Sequence, residues 1–134
     1  MSKDLRILLA EDSASTRVLV KKMLRNLGYE DVELAEHGLE ALKMLEAADE
    51  EFDLLISDWI MPEMNGLDLV KAIREREALK HLPVLLVTAD EDPENIMAAL
   101  RAGADNYMCK PYDAKVLAEK INKIFAFRKK RGLE

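Results

Sequence analysis

Short apolar runs alternate with longer stretches of helical period, and the alternation repeats five times along 134 residues. The runs are Ile7-Leu8-Leu9-Ala10, Val32-Glu33-Leu34-Ala35, Leu54-Leu55-Ile56-Ser57, Val84-Leu85-Leu86-Val87 and the shorter Tyr107-Met108-Cys109. Parallel strands need a long crossover between them, and an intervening helix supplies it, so the pattern predicts a parallel α/β sheet. Three of the runs are apolar without alternation, which predicts helices on both faces. The length suits one domain of ordinary size.

The intervening stretches carry their own punctuation. Leu19, Met23 and Leu27 recur every four residues with Val20 and Leu24 beside them and Lys21, Lys22 and Arg25 opposite, predicting an amphipathic helix stopped by Gly28. The second and third helices rest on Leu39, Leu42 and Leu45 and on Leu69, Val70 and Ile73, with less decisive caps. Asp92, Pro93 and Glu94 supply an N-cap, a first-turn proline and a first-turn acid to a fourth helix, whose Ile96, Met97 and Leu100 repeat until Gly103. Asp113 precedes a fifth, with Leu117, Ile121, Ile124, Phe125 and Arg128 on one side. The run Arg128-Lys129-Lys130-Arg131 suits a helix carboxyl end and reads as a solvated terminus.

Charge and composition remove several classes of function. With 20 basic against 26 acidic side chains the net charge is -6, the wrong sign for winding around nucleic acid or lying on anionic lipid. No apolar run approaches the roughly 18 residues of a membrane span, and the amino terminus is too polar for a signal peptide, so a cytoplasmic location is expected. One cysteine, Cys109, forms no internal disulfide, and His37 and His81 are too far apart in sequence for a zinc set.

In an open parallel sheet, ligands bind at the carboxyl ends of the strands, where loops and helix amino termini converge. The residues that follow the apolar runs are Glu11 and Asp12, Asp58, Thr88, and Lys110. Read singly, each is an ordinary loop or turn residue. Read together, three carboxylates on one rim repel unless a cation sits among them, and oxygen ligands without His or Cys point to a hard ion, Mg²⁺. A carboxylate beside such an ion can attack phosphorus, while a lysine and a hydroxyl hold the other phosphoryl oxygens.

Glu11-Asp12, the stretch 58–66, Thr88-Ala89 and Lys110-Pro111 together resemble the receiver domains of two-component response regulators, most closely the single-domain, CheY-like chemotaxis type. The resemblance runs from Asp4 to about Phe127. It implies a flavodoxin-like doubly wound five-stranded sheet of order 2-1-3-4-5. Residues 1–128 read as the receiver and 129–134 as a solvated tail, whose Leu133-Glu134 could be an expression remnant. The resemblance further implies Asp58 as phosphoacceptor from a histidine kinase or phosphotransfer protein. Glu11, Asp12, Asp58 and the backbone carbonyl of Ile60 would be ligands of Mg²⁺. Thr88, Lys110 and the Ala89 N–H would bind phosphoryl oxygens, with Thr88 and Tyr107 as the switch pair. Output would pass from the fourth helix, fifth strand and fifth helix to a downstream protein or output domain, as a monomer or a phosphorylation-dependent dimer. Such a chain is not a turnover enzyme. The Lys110-Pro111 bond is expected to be cis.

Two positions depart from the family's usual pattern. Ile60 stands where many relatives carry a polar side chain able to hold the hydrolytic water, which predicts slow loss of the phosphoryl group, with Asp90 as a second influence on that water. Glu11 is one methylene longer than the commoner Asp. Three rival readings remain. One is a receiver cut from a larger regulator. Another is an aspartate-nucleophile phosphatase, whose Asp-x-Asp is replaced here by Asp58-Trp59-Ile60. The third, a flavin or nucleotide carrier, lacks a phosphate loop after Ala10.

Overall fold

The computed structural model describes residues 4–89 and 91–132. Five strands and five helices alternate in the order β1 (Ile7–Ala10), α1 (Ala14–Asn26), β2 (Val32–Ala35), α2 (Gly38–Ala47), β3 (Leu54–Asp58), α3 (Gly66–Glu75), β4 (Val84–Thr88), α4 (Pro93–Ala102), β5 (Asn106–Cys109) and α5 (Ala114–Lys130). The sheet is parallel throughout, in the order β2-β1-β3-β4-β5. This is the doubly wound, flavodoxin-like arrangement expected from the sequence. Among the described residues no helix is long and apolar enough to cross a membrane.

Alternate strand residues feed two separate cores, as the period of two demands. Leu8, Leu55 and Leu86 pack against α2, α3 and α4, while Ile7, Leu9, Ile56, Leu85 and Met108 pack against α1 and α5. Both faces of the central strands are therefore covered, which is why their sequence is apolar without alternation.

The helix boundaries follow local chemistry. Gly28, at φ 102°, closes α1: its N–H donates to the Arg25 carbonyl and that of Tyr29 to the Leu24 carbonyl, a turn that favours glycine. Asp92 and Asp113 cap α4 and α5 through side-chain oxygens 2.9 Å from Glu94 N and Val116 N. The caps of α2 and α3 are His37, whose Nδ1 accepts from Glu40 N at 3.1 Å, and Asn65, whose Oδ1 accepts from Asp68 N at 2.9 Å.

Three expectations need correction. Leu19 is 54% exposed, and the buried seam of α1 is Val20 and Leu24, because the helix presses only a narrow stripe onto the sheet. Met97 and Leu100 of α4 also face outward, and small Ala99 makes that helix's buried contact. Arg128 is buried rather than a solvated end: its Nε and Nη2 donate to the Asp105 carboxylate at 2.8 and 3.1 Å, and its Nη1 to the His81 carbonyl. Arg74 of α3 joins the same carboxylate at 3.1 Å and bonds the carbonyls of Leu82 and Gly103. The pairing carries α5 past residue 128, to Lys130; Leu133 and Glu134 lie outside the described residues.

Candidate functional site

Asp58 is the last residue of β3 and is buried, with three hydrogen bonds fixing its own carbonyl and the backbone of Trp59 after it. The Ser57 hydroxyl donates to the Asp58 carbonyl at 2.9 Å, and Trp59 N donates to Val87 O of β4 at 2.9 Å. Gly66 N then closes the following loop onto Trp59 O at 2.7 Å. A Cβ at Gly66 would collide with the Asp58 carbonyl oxygen, so only glycine lets α3 start this close behind the acid.

β1 delivers the other two acids. Glu11 N still pairs with Ala35 O at 3.0 Å, extending the ladder one residue, and its buried carboxylate accepts Ser13 N at 2.9 Å. Asp12, in the turn itself, is exposed. Among the described residues, Glu11, Asp12 and Asp58 offer carboxylate oxygens that all lie within 4.8 Å of one another. From β5, Lys110 N donates to Thr88 O at 2.8 Å, and the Lys110–Pro111 bond is cis. The Lys110 ammonium lies 2.9 and 3.1 Å from the two Asp58 oxygens and 3.5 Å from Glu11 Oε1.

Charge balance at the rim is incomplete. Burial first, and then the neighbouring Asp58, raise the Glu11 carboxyl above its ordinary value, against the opposing pull of the Ser13 N–H and Lys110. Lys110 is lowered by burial, but its hydrogen bonds and ion pairs with Asp58 and Glu11 outweigh that and raise it. The Tyr112 phenol is pushed up to about 12 by burial and by the negative charge of Glu11 and Asp58. Three acids facing one ammonium leave an excess of negative charge with oxygen-only donors, the chemistry of a hard-cation site.

Thr88 ends β4, buried, on the strand next to Asp58. With Ala89, Trp59, Ile60 and Asn95 it lines a cleft of about 410 Å³ beside the acids. Glu11, Asp12, Asp58, Thr88 and Lys110 thus stand along one rim. Ile60 is 78% exposed at the cleft mouth. Tyr107 stands apart: it pairs with Leu86, two residues before Thr88, and its half-buried ring carries the Lys120 ammonium 4.8 Å from its centroid. Asp90 lies outside the described residues. Three contributors were missed from sequence: Ser13, Tyr112 and Arg17, whose Nη1 donates to the Glu11 carbonyl at 2.7 Å. Ser13 carried an N-cap signal; Arg17 carried none, because the partner is a main-chain atom.

Comparison with known proteins gives this arrangement its class. Residues 7–122 match the family model described as response regulator receiver domain, and the chain belongs to that family. It is 46% identical over 125 residues to chemotaxis protein CheY-3 of Vibrio cholerae, covering 93% of this chain and 95% of that protein. It is likewise 46% identical over 121 residues to chemotaxis protein CheY of Pseudomonas aeruginosa, covering 90% and 96%. The crystal structure of Vibrio cholerae CheY4 superposes with a TM-score of 0.82 at 35% identity, covering 90% of this chain and 98% of that one. The receiver domain of the sensor histidine kinase PA1611 from Pseudomonas aeruginosa, solved with a magnesium ion coordinated in its active site cleft, gives 0.81 at 27%, covering 92% and 98%.

Proposed function

We propose that this receiver accepts a phosphoryl group on Asp58 from a phosphohistidine of a kinase or phosphotransfer protein, and passes the signal to a downstream protein. An Asp58 oxygen attacks phosphorus in line, the P–N bond breaks, and the imidazole leaves with its electron pair and takes up a proton. The product is an acyl phosphate on Asp58. The observation that carries the reading is an acid at a strand end with an ammonium at 2.9 Å and two further carboxylates within 4.8 Å.

Glu11, Asp12, Asp58 and the Ile60 carbonyl are the groups to hold Mg²⁺, and the all-oxygen donor set with its surplus negative charge fits that ion. When bound, the ion supplies positive charge that offsets the charge developing on the phosphoryl oxygens. Lys110 exchanges its hold on the Asp58 carboxylate for a phosphoryl oxygen. The Thr88 hydroxyl and the Ala89 N–H, from the adjoining strand end, are the remaining donors.

Movement of Thr88 toward the phosphoryl group opens space on the sheet face it shares with Tyr107, and entry of that ring reshapes the α4–β5–α5 face. That face already exposes Met97, Leu100 and Phe127, apolar surface suited to a protein partner. The chain acts as a phosphoacceptor that assists its own chemistry, not as an enzyme turning over an external substrate.

Incubation with acetyl phosphate and MgCl2 tests the reading. An increment of about 80 Da, the mass of one phosphoryl group, is expected on the wild type and absent from Asp58→Asn. An adduct that persists in Asp58→Asn moves the acceptor elsewhere, and no adduct on the wild type ends the case.

A further inference from the structure

The turn that carries Glu11 and Asp12 is three residues long, between the end of β1 at Ala10 and the start of α1 at Ala14. A turn this short at a strand end leaves a main-chain carbonyl to be satisfied. The Glu11 carbonyl is satisfied by Arg17, whose Nη1 donates to it at 2.7 Å. Arg17 is held in turn by its own N–H, which donates to Ser13 O at 2.9 Å. Its Nη2 stands 3.6 Å from Glu36, in the loop between β2 and α2, and the side chain is 13% exposed. One guanidinium therefore spans the β1–α1 turn, the first turns of α1 and the β2–α2 loop.

Two effects of Arg17 on a cation at the rim oppose each other. Its positive charge repels the ion, so its loss alone would tighten binding. Its hydrogen bond orders the turn that presents Glu11 and Asp12, so its loss alone would weaken binding, because only the fraction of molecules with the turn in place is competent. Glu36 beside it neutralises the guanidinium locally, and what remains of the repulsion is screened by solvent and salt. The hydrogen bond to a charged donor is short and shielded, and is the larger effect.

We propose that Arg17 is a positioning residue for the divalent cation, holding the Glu11-Asp12 turn in its receiving geometry. The inference rests on the reading that the rim takes Mg²⁺. Arg17 touches neither the acceptor acid nor the phosphoryl donor; it acts through the main chain of Glu11.

Mg²⁺ titration of wild type, Arg17→Gln and Arg17→Lys, followed by calorimetry and Trp59 emission, tests it, with urea unfolding in EDTA as the control. Arg17→Gln is expected to raise the half-saturating Mg²⁺ concentration about tenfold, the scale of one lost charge-assisted hydrogen bond. Phosphorylation by acetyl phosphate should return to within about twofold of wild type once Mg²⁺ saturates, since the ion then orders the turn. Arg17→Lys should fall between, because an ammonium is a point donor and cannot bridge the carbonyl and Glu36 with a planar fork. A half-saturation in Arg17→Gln that is unchanged or lower overturns the proposal, even if the urea midpoint falls, for that would be a purely structural role or simple repulsion. A wild type that binds no Mg²⁺ by calorimetry overturns the cation reading of the rim itself, and the proposal with it.

Discussion

Glu11→Gln should make the metal-free protein more stable. Glu11 is buried, with Asp58 oxygens no more than 4.8 Å away and the Lys110 ammonium at 3.5 Å. At an effective dielectric constant of about 20, the repulsion is about 3.5 kcal/mol and the attraction about 4.7 kcal/mol, close enough that burial decides the sign. Burial disfavours the ionised form, in line with the raised Glu11 carboxyl. Glutamine removes the charge and keeps an oxygen for the Ser13 N–H. The expected gain in EDTA at neutral pH is about 0.5–1.5 kcal/mol, the ordinary scale of relieving one unfavourable charge by substitution, or about 2–5 °C in Tm for a domain of this size. A carboxyl raised in the folded state is most favourable below its unfolded value, and the advantage is lost as pH rises through the folded value. The gain of the Gln variant therefore opens with rising pH and closes in acid, where Glu11 is protonated in both states. Excess Mg²⁺ should reverse the order: at a hundred times Kd the ion stabilises a binding-competent fold by about 2.7 kcal/mol, and the variant lacks one ligand. Urea midpoints with EDTA and with MgCl2, at pH 4 and pH 7, measure all of this. A Gln variant less stable than wild type in EDTA at pH 7, or a gain undiminished at pH 4, would refute the charge argument.

Ile60→Asn should shorten the lifetime of the Asp58 acyl phosphate severalfold, because an exposed amide at the cleft mouth can hold a water that an aliphatic chain cannot; equal or slower decay of the radiolabelled protein rejects this. Lys110→Ala should leave the phosphoryl adduct detectable by mass while removing the NMR shift changes that phosphorylation induces around Thr88 and Tyr107, and persistence of those shifts counts against the role given to the ammonium. Asp105→Asn leaves the Arg74 and Arg128 guanidiniums without their shared counter-charge, and should cost about 3–5 kcal/mol in urea unfolding with little change in Mg²⁺ affinity. A loss under 1 kcal/mol would mean that solvent already reaches that cluster.

The fold was legible because the periodicities are strong and consistent. Each central strand is buried on both sides and every helix carries an apolar repeat, with clear punctuation for the first, fourth and fifth, so element type followed from spacing alone; the strand order came only from family resemblance, since spacing does not say which strand lies beside which. Leu19 and the Met97/Leu100 pair show the limit. A helix can carry more apolar surface than the sheet covers, and periodicity does not distinguish a core stripe from a docking stripe. Arg128 shows the converse, where four cations in a row read as solvated although one is turned inward by Asp105, a partner 23 residues distant. The placement of Glu11, Asp12, Asp58, Thr88 and Lys110 on one rim was legible because each follows an apolar run. Arg17 and the His37 cap were not, since the first binds a carbonyl that every residue possesses and the second uses a residue type outside the usual cap set.

The two ends of the sheet divide the labour of stability and function. At the far end, Asp105 receives two guanidiniums and Val84 N at 2.7 Å, while Arg74 spends its other donors on the carbonyls of Lys80, Leu82 and Gly103, so that buried charge there is paired and hydrogen-bonded. That cluster ties α3, β4, β5 and α5 together at the end opposite the rim. At the rim, three acids face one lysine, and the imbalance costs stability that a bound cation would offset. A fold held by the first arrangement can tolerate the second, and needs the second if phosphorylation is to shift its shape. Were the rim charges fully paired within the protein, a phosphoryl group and a metal would have to break more than the Lys110–Asp58 pair to bind, and little differential free energy would remain for the proposed movement of Thr88, Tyr107 and the face of α4 and α5.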